Sequence, residues 1–389
     1  MRHREISTGF QRATCRRFLG LIACIALAGA LPGCSFTSPD AASGSQWVGI
    51  EGVTAQQARS IARESYLYGA PMVASYHAMY AYSIDKNGAQ YKGPLNTLNP
   101  IGAASAASVG LDPAYLYSYG ALDLRAEPVV VTVPRVERRR DASLQVMDLY
   151  MHHIGDLGSR GLGGGVYLVA GPSWKGKTPP GITKVIRSET ELATLVARTQ
   201  RFTPADQDNA KRIQSRFKVQ PLSAFRNRAA PAAPATVEWM APVPRAQMYS
   251  SLEFYDELAF LLRFAPTHKS ETMLRERMDS LGLRPGEAYD TATMNPALRR
   301  ALQEGMHDAQ NDIDKNRAAQ GANTDALFGD RDRLKNNYLT RATGAQMGVF
   351  AFGGMSVPKA PAKASPKLPP KAPSNAPSNA TSNAPPKPQ

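Results

Sequence analysis

The chain is poor in cysteine. It has three cysteines among 389 residues, at positions 15, 24 and 34, and none after position 34. The body of the protein therefore has no cysteine nucleophile, no thiolate zinc site and no disulfide of its own. Any catalysis or metal binding there depends on other side chains.

Hydrophobic runs that could cross a bilayer as a helix are also missing. The apolar segment from Phe18 to Ala30 is well short of the roughly 20 residues that a membrane-spanning helix needs. It follows five arginines and precedes Leu31-Pro32-Gly33-Cys34. A basic start, an apolar centre and a small residue at the cut are the parts of a secretory signal peptide.

The residues at positions 31–34 resemble the bacterial lipobox, so residues 1–33 are expected to be a lipoprotein signal peptide. Cys34 would then be the site of lipid attachment, and its acyl chains, such as palmitate, would anchor the protein in a membrane. Because Ser35 rather than Asp follows the cysteine, the resemblance favours the outer membrane over the inner one. We therefore expect a cell-envelope protein at the periplasmic face of the outer membrane.

Acidic residues are scarce, with 32 Asp and Glu against 46 Lys and Arg and a net charge of +14. Residues 1–33 contribute +4 and residues 355–389 contribute +5, which leaves only +5 for the body between them. The body has no stripe of basic residues interleaved with aromatics, which argues against a nucleic-acid partner.

The pattern of the chain predicts an α+β protein. We expect a flexible tether over 34–52, a β-sandwich domain with an N-terminal helical segment over 53–228, a Pro/Ala linker over 229–245, and an α-helical module over 246–350. Residues 351–389 are rich in proline and lysine and are expected to be disordered. This tail is a candidate for contact with peptidoglycan.

Local signals predict the individual elements. A capping box at Thr54 and Gln57 begins a helix that Pro71 should kink or break. Val129 to Val133 is typical of a strand, and several further strands separated by turns favour a β-sandwich. A second capping box, from Ser188 to Glu191, predicts a helix after it, and Asn295-Pro296 predicts the start of a long helix ending near Gly321.

Two motifs suggest chemistry that their context opposes. Gly171 to Thr178 matches the P-loop pattern, but Pro179-Pro180-Gly181 blocks the helix that a P-loop must begin. We expect the loop of a β-hairpin there, and no nucleotide. His152 and His153 have no histidine or acid at ligand spacing in the sequence, so we predict no metal and no cofactor.

The candidate ligand-binding residues are Tyr117, Ser118, Asp123, Arg160 and Arg187. Arg160 with Arg187 could bind an anionic ligand, or it could pair with Asp123 or Asp148 as an internal ion pair. Ser118 has no obvious base and no Gly-x-Ser-x-Gly motif around it. Catalytic residues remain unassigned.

Several short motifs, in order, resemble the bacterial family catalogued as DUF1254. They are Tyr66 to Val73, Leu116-Tyr117-Ser118, Leu122-Asp123-Leu124, Pro128 to Val131, Gly158-Ser159-Arg160, Gly171 to Gly176, the arginines Arg187 and Arg198, and Asn337 to Ala342. The resemblance spans most of residues 54–348. It implies an immunoglobulin-like β-sandwich joined to a helical module. Family members usually continue into a jelly-roll domain, DUF1214, which the proline-rich tail replaces here.

Two functions fit the sequence. The first is a lipid-anchored envelope protein with a binding or scaffolding role and no catalysis. The alternative is a periplasmic hydrolase or small-ligand-binding protein with a site on the β-sandwich. If the five candidate side chains meet in a cleft, the alternative gains; if they are spread out and internally bonded, scaffolding is favoured.

Overall fold

The computed structural model describes residues 47–108, 111–321 and 325–347. The predicted signal peptide, the lipid attachment at Cys34 and the predicted tail at 351–389 lie outside the described residues, as does most of the tether. Within the described ranges, no helix combines the length and the hydrophobicity needed to cross a membrane.

The first helix, α1, is Ala55–Met79 and begins at the predicted capping box. Thr54 Oγ1 accepts a hydrogen bond from the Gln57 backbone, and the Gln57 side chain accepts one from the Thr54 backbone. Pro71 was predicted to kink or break this helix, and the break is wrong, because α1 continues through Pro71 and a π-helical turn, Tyr80–Ile84, follows. Pro71 and its neighbours are buried, so their packing outweighs the hydrogen bond that proline cannot donate.

The other helices follow in chain order. They are α2 (Ala103–Ser108), α3 (Gln207–Gln214), α4 (Leu222–Phe225), α5 (Glu253–Leu262), α6 (Thr272–Ser280), α7 (Pro296–Gln320), α8 (Arg331–Leu334) and α9 (Tyr338–Gln346). Short 3₁₀ turns lie at Pro204–Asp206, Arg245–Gln247 and Asp325–Leu327. The long helix α7 begins as predicted, with Asn295 accepting a hydrogen bond from the Ala297 backbone.

Two sheets complete the mixed α+β fold. Their strands are β1 (Asn99–Pro100), β2 (Tyr115–Asp123), β3 (Val129–Val133), β4 (Ala142–Asp148), β5 (His153–Gly158), β6 (Gly165–Ala170), β7 (Lys184–Arg187), β8 (Leu192–Gln200) and β9 (Lys218–Pro221). The five-stranded sheet has the order β1-β2-β8-β4-β5, and the four-stranded sheet has the order β7-β6-β3-β9. Neighbouring strands are antiparallel except for β6 and β7, which are parallel.

Strand β8 replaces a predicted helix. The Ser188–Glu191 pattern does not cap a helix; the Ser188 hydroxyl instead donates to the Thr190 carbonyl, and Leu192–Gln200 pairs with strands on both sides. Residues 192–199 are all buried, so this is a central strand covered on both faces. Strand pairing and burial stabilise this segment more than its local helix-capping pattern would stabilise a helix.

The segment with the P-loop pattern runs from the end of β6 towards β7. The expected hairpin is wrong, because β6 and β7 are parallel and their connection must cross over. The element after this segment is a strand, whereas a P-loop needs the N-terminus of a helix.

Each face of the five-stranded sheet contributes to a different hydrophobic core. One core lies between the two sheets and includes Leu144, Val146 and Leu195. The other lies on the opposite face, which we call the outer face, where Tyr119 and Val196 join a core that also contains residues of α1, α5 and α7. Side chains alternate along a strand, so both faces of one sheet can be buried against different layers.

Helix α1 is the centre of the helical layer, and it packs against α5, α7 and α9. Gly305 of α7 lets the helices approach closely, because a Cβ there would lie 2.5 Å from the Arg59 carbonyl oxygen and 2.7 Å from the Ala62 Cβ. The helical layer covers part of the outer face and leaves the region of β4 and β5 open to a pocket.

Candidate functional site

An open pocket with a volume of about 660 Å³ lies over the outer face beside Arg160. Strands β4, β5 and β8 form its floor, and residues 328–333 form one wall. Its charged lining residues are Arg160, Arg198, Arg333, Asp156 and Asp330.

Strand register brings the polar residues of the floor together. Arg198 of β8 pairs with Ser143 of β4 on one side and with Tyr117 of β2 on the other. Two residues along, Gln145 of β4 pairs with Asp156 of β5. Because alternate residues share a face, these side chains form a polar patch at one end of an otherwise apolar face.

Asp141 holds two of the arginines. Its carboxylate lies 2.6 Å from Arg160 Nε and 3.7 Å from Arg198 Nε, and it accepts a hydrogen bond from the Ser159 hydroxyl. Burial acts to raise the pKa of Asp141, but the Ser159 hydrogen bond and the two guanidinium groups outweigh it and lower that pKa. Asp141 therefore stays ionised and serves two cations at once.

Arg198 is the most buried arginine of the pocket, with 8% of its surface exposed. Its Nε donates to Ser143 Oγ at 3.1 Å, and its guanidinium lies over the Tyr115 ring at 5.7 Å. Burial, followed by repulsion from Arg160, lowers the pKa of Arg198. Asp141 and neutral polar groups thus compensate its charge incompletely, so a further anion would be favourable here.

His153 adds a neutral polar group to the lining. Its ring stacks on Phe328 with centroids 5.6 Å apart, and its Nδ1 lies 2.9 Å from Gln145 Nε2. Burial lowers the pKa of His153, so the imidazole is uncharged at neutral pH. Since Nδ1 must accept the amide hydrogen, Nε2 carries the ring proton, and it has no partner among the described residues.

The wall formed by residues 328–333 is fixed at several points. The His153 backbone N–H donates to the Gly329 carbonyl at 2.9 Å, and the Asp330 side chain caps α8. Arg331 points away from the pocket into a buried network. There, its Nε lies 2.7 Å from Glu189 Oε1 and its Nη1 lies 2.9 Å from Glu271 Oε1.

Three residues of this network have the composition of a metal site. Asp148, His152 and Glu189 each place a ligand atom within 4.8 Å of the others. The expectation that no acid lies near His152 is therefore wrong, since Asp148 Oδ2 is 3.0 Å from its Nδ1. The sequence prediction missed this pair because the turn between β4 and β5 brings residues four apart together.

The donor atoms of this trio are already engaged. Asp148 accepts hydrogen bonds from the His152 backbone and ring, and Glu189 is bound by Arg331. With Nδ1 protonated, His152 Nε2 accepts from Arg341 Nη1 at 3.4 Å. The trio therefore compensates two buried guanidinium groups, and their positive charge disfavours a cation there.

The structure brings only two of the five predicted ligand-binding residues to the pocket region. Arg160 lines the pocket, and Tyr117 is the cross-strand neighbour of Arg198 on the outer face. Arg160 pairs with Asp141, so the proposed pairing with Asp123 or Asp148 is wrong.

The other three predicted residues lie elsewhere and have partners. Ser118 is 3% exposed, and its Oγ accepts from Gln214 Nε2 at 3.0 Å. Asp123 pairs with Arg125 at 2.7 Å at the end of β2. Arg187 belongs to the other sheet, where it donates to the Trp174 carbonyl and lies 5.4 Å from that ring. The five side chains therefore do not form one site.

Sequence reasoning missed Arg198, Asp141 and His153 as members of the site. The period-two pattern of Thr194, Val196 and Arg198 would have placed Arg198 on the same face as Val196 if the segment had been taken as a strand. Asp141 precedes β4 and carried no comparable signal.

A family model described as a protein of unknown function (DUF1254) matches residues 95–221, which include β1 to β9. No curated protein matches the chain. The crystal structure of the VPA0106 protein from Vibrio parahaemolyticus is similar with a TM-score of 0.61 and 21% identity, over 77% of this chain and 69% of that chain.

At this identity, the Vibrio structure bears on the fold alone. A putative uncharacterised protein from Burkholderia cenocepacia is 22% identical over 33% of this chain and 36% of that one, with a TM-score of 0.22 that carries no argument. The family-model match is shorter than the stretch of resembling motifs, but it includes the pocket floor. Residues 95–221 of this chain are thus similar to DUF1254, a family described as being of unknown function.

Proposed function

We propose that this protein is a non-catalytic, lipid-anchored protein of the cell envelope that binds a small anionic ligand in the pocket beside Arg160. The observation that carries the ligand class is the position of Arg198. Its side chain is about nine-tenths buried and lines the pocket, and its ion-pair partner Asp141 is shared with Arg160. A carboxylate or phosphate could bind such a guanidinium with charge-assisted hydrogen bonds.

The volume and lining of the pocket support a small polar ligand. About 660 Å³ is within the range of small-molecule sites. Its lining is polar, with three arginines and two aspartates, and His153 is neutral. Ser118 is bonded to Gln214 and lies outside the lining, so no observation on the described residues favours a serine hydrolase over a binding protein.

The β-rich part is proposed to be an immunoglobulin-like sandwich. Two sheets that share one hydrophobic core support this assignment. The parallel pair β6–β7 is a departure from the all-antiparallel pattern of that class.

The envelope location rests on the sequence around Cys34. Metabolic labelling with palmitate should mark the wild-type chain and fail to mark a Cys34→Ser variant. Labelling of both chains, or of neither, would contradict the anchor without bearing on the pocket.

The ligand class is tested by calorimetric titration of the purified full chain with inorganic phosphate, succinate and, as a neutral comparison, glycerol. We expect one of the two anions to bind and glycerol not to bind. Arg198→Gln should weaken anion binding by about 10- to 100-fold, because a hydrogen bond to a charged group contributes roughly 1.5–3 kcal/mol.

Arg300→Gln is the matched control, since Arg300 is exposed on α7 and does not line the pocket. Its affinity should equal that of the wild type. Equal weakening by both variants, or failure of both anions to bind, would refute the proposed ligand class.

The proposed contact between the tail and peptidoglycan has its own test. Deletion of residues 358–389 should reduce co-sedimentation with isolated cell walls and leave the melting temperature unchanged. A large loss of stability, or undiminished co-sedimentation, would contradict it.

A further inference from the structure

A second polar groove lies at one end of the four-stranded sheet, away from the floor of the ligand pocket. It has a volume of about 640 Å³ and is formed by residues of β3, β6 and β9 and by the turn before β9. Arg135, Arg216 and Lys218 are its charged lining residues, and no acidic residue lines it. All three cations are exposed.

An adjoining groove extends this positive charge. Pro134 and Arg135 line both grooves, and the adjoining one adds Arg138, Arg140 and Glu137. Arg140 pairs with Glu137 and with Asp206, so the one acid of the adjoining groove is already neutralised. Four cations of the two grooves have no ion-pair partner among the described residues. We call them the basic face: Arg135, Arg138, Arg216 and Lys218.

Exposed apolar side chains accompany the basic face. Leu162 lines the adjoining groove and is 48% exposed. Phe202 is also 48% exposed, and its ring lies 4.2 Å from the Arg140 guanidinium, which lines the same groove. Leu162 therefore lies in the groove beside Arg135 and Arg138, and Phe202 lies against Arg140 of the same groove.

Basic residues bordered by exposed apolar side chains fit the surface of an anionic bilayer. Lipid phosphates attract the cations, and Leu162 and Phe202 can enter the interface between headgroups and acyl chains. A polyanion such as a nucleic acid would use the charges but not the aliphatic side chain of Leu162. We propose that the folded body docks on an anionic lipid bilayer through the basic face, with Leu162 and Phe202 in contact with the lipid.

This docking is separate from the proposed acylation, and it gives the body an orientation that an anchor alone would not. Thirteen residue steps from Cys34 to Trp47 can span at most about 45 Å. That length exceeds the radius of gyration of roughly 19 Å expected for a folded body of this size. The tether alone therefore lets any face of the body turn towards the membrane. Attraction between the basic face and anionic lipid would fix which face is turned towards the membrane.

The test uses the chain from residue 34 onward with Cys34→Ala, so that neither an acyl chain nor the apolar segment Phe18–Ala30 contributes. Binding is measured by co-sedimentation with vesicles of phosphatidylcholine containing 30% phosphatidylglycerol, and with vesicles of phosphatidylcholine alone. Basic segments outside the described residues also meet the anionic vesicles, so the decisive comparison is between two variants of equal charge.

One variant is Arg135→Glu/Arg216→Glu/Lys218→Glu. The matched control is Lys86→Glu/Lys177→Glu/Lys269→Glu, which makes the same charge change at exposed lysines that line neither groove. Each cation near an anionic surface contributes about 1 kcal/mol, or about 5-fold in partitioning, so the first variant should lose on the order of 100-fold in binding to anionic vesicles. The control should keep most of its binding.

A second variant examines the apolar contribution. Leu162→Ser/Phe202→Ser should weaken binding to anionic vesicles further than the lysine control does, without changing net charge. Equal loss in the groove variant and the lysine control would overturn the basic face as the docking surface. Full retention of vesicle binding by Leu162→Ser/Phe202→Ser would overturn the proposed contact of these two side chains with the lipid.

Discussion

Replacement of Arg331 by methionine, which keeps an unbranched stem but removes the guanidinium, is expected to destabilise the protein strongly. The Arg331 guanidinium lies between Glu189 and Glu271, and Glu271 is fully buried. Without Arg331, the Glu271 carboxylate keeps only the Tyr68 hydroxyl, 3.3 Å away, as a close partner among the described contacts. Removing one partner of a buried ion pair costs about 3–5 kcal/mol, because the other charge stays buried and uncompensated.

We expect a loss near the lower end, about 3 kcal/mol, because Glu189 is partly exposed and water can screen it. At about 2–4 °C per kcal/mol, the melting temperature should fall by roughly 6–12 °C. Urea unfolding of the full chain, followed by tryptophan fluorescence, measures the change. The same substitution should loosen residues 328–333 and weaken anion binding in the pocket, since Arg331 lies between the lining residues Asp330 and Arg333.

Two comparisons isolate the buried pair. Arg284→Met removes an arginine that pairs with Asp279 at the exposed surface, and it should change stability little. In a double-mutant cycle, adding Glu271→Gln to Arg331→Met should recover at least 1 kcal/mol relative to additive single losses. If Arg331→Met cost no more than Arg284→Met, or if the cycle gave no coupling, compensation of the buried Glu271 charge by Arg331 would be refuted.

Two further predictions concern stability. Gly305→Ala should destabilise the protein by about 1–2 kcal/mol in urea unfolding. The clash of the new methyl group with the Arg59 carbonyl and Ala62 outweighs the roughly 1 kcal/mol gained in helix propensity. A stabilised variant would contradict the close contact of α1 with α7. Burial raises the pKa of Asp256 to about 6, so the folded state binds more protons than the unfolded state between about pH 4 and 6, and stability from this group falls as pH rises through that window. Asp256→Asn can keep the hydrogen bonds to Thr291. It should be about 1 kcal/mol more stable than the wild type at pH 7 and equally stable at pH 3.5. Unfolding curves in which the variant and the wild type differ by the same free energy at both pH values would contradict this prediction.

The ends of several elements could be predicted because local hydrogen bonds determine them. The capping box at Thr54 and Gln57 and the Asn295 cap need only residues within three positions of one another, and both are present in the structure. Val129–Val133 was also predictable, since a short β-branched run between prolines has few alternatives to a strand. Where local and long-range preferences disagreed, as at Pro71 and at Ser188–Glu191, the long-range packing decided the outcome.

The pocket, too, was partly predictable from local residue type and partly determined by long-range packing. The sequence by itself marked Arg160 and Tyr117 as candidates and excluded cysteine chemistry from the body of the protein, because residue type is a local property. Only the tertiary structure decided that Arg160 and Arg198 share Asp141, that Ser118 bonds to Gln214 away from the pocket, and that Asp148 and His152 compensate a buried arginine. These relations depend on which strands are neighbours and in which register, and strand pairing joins residues that are far apart in the chain.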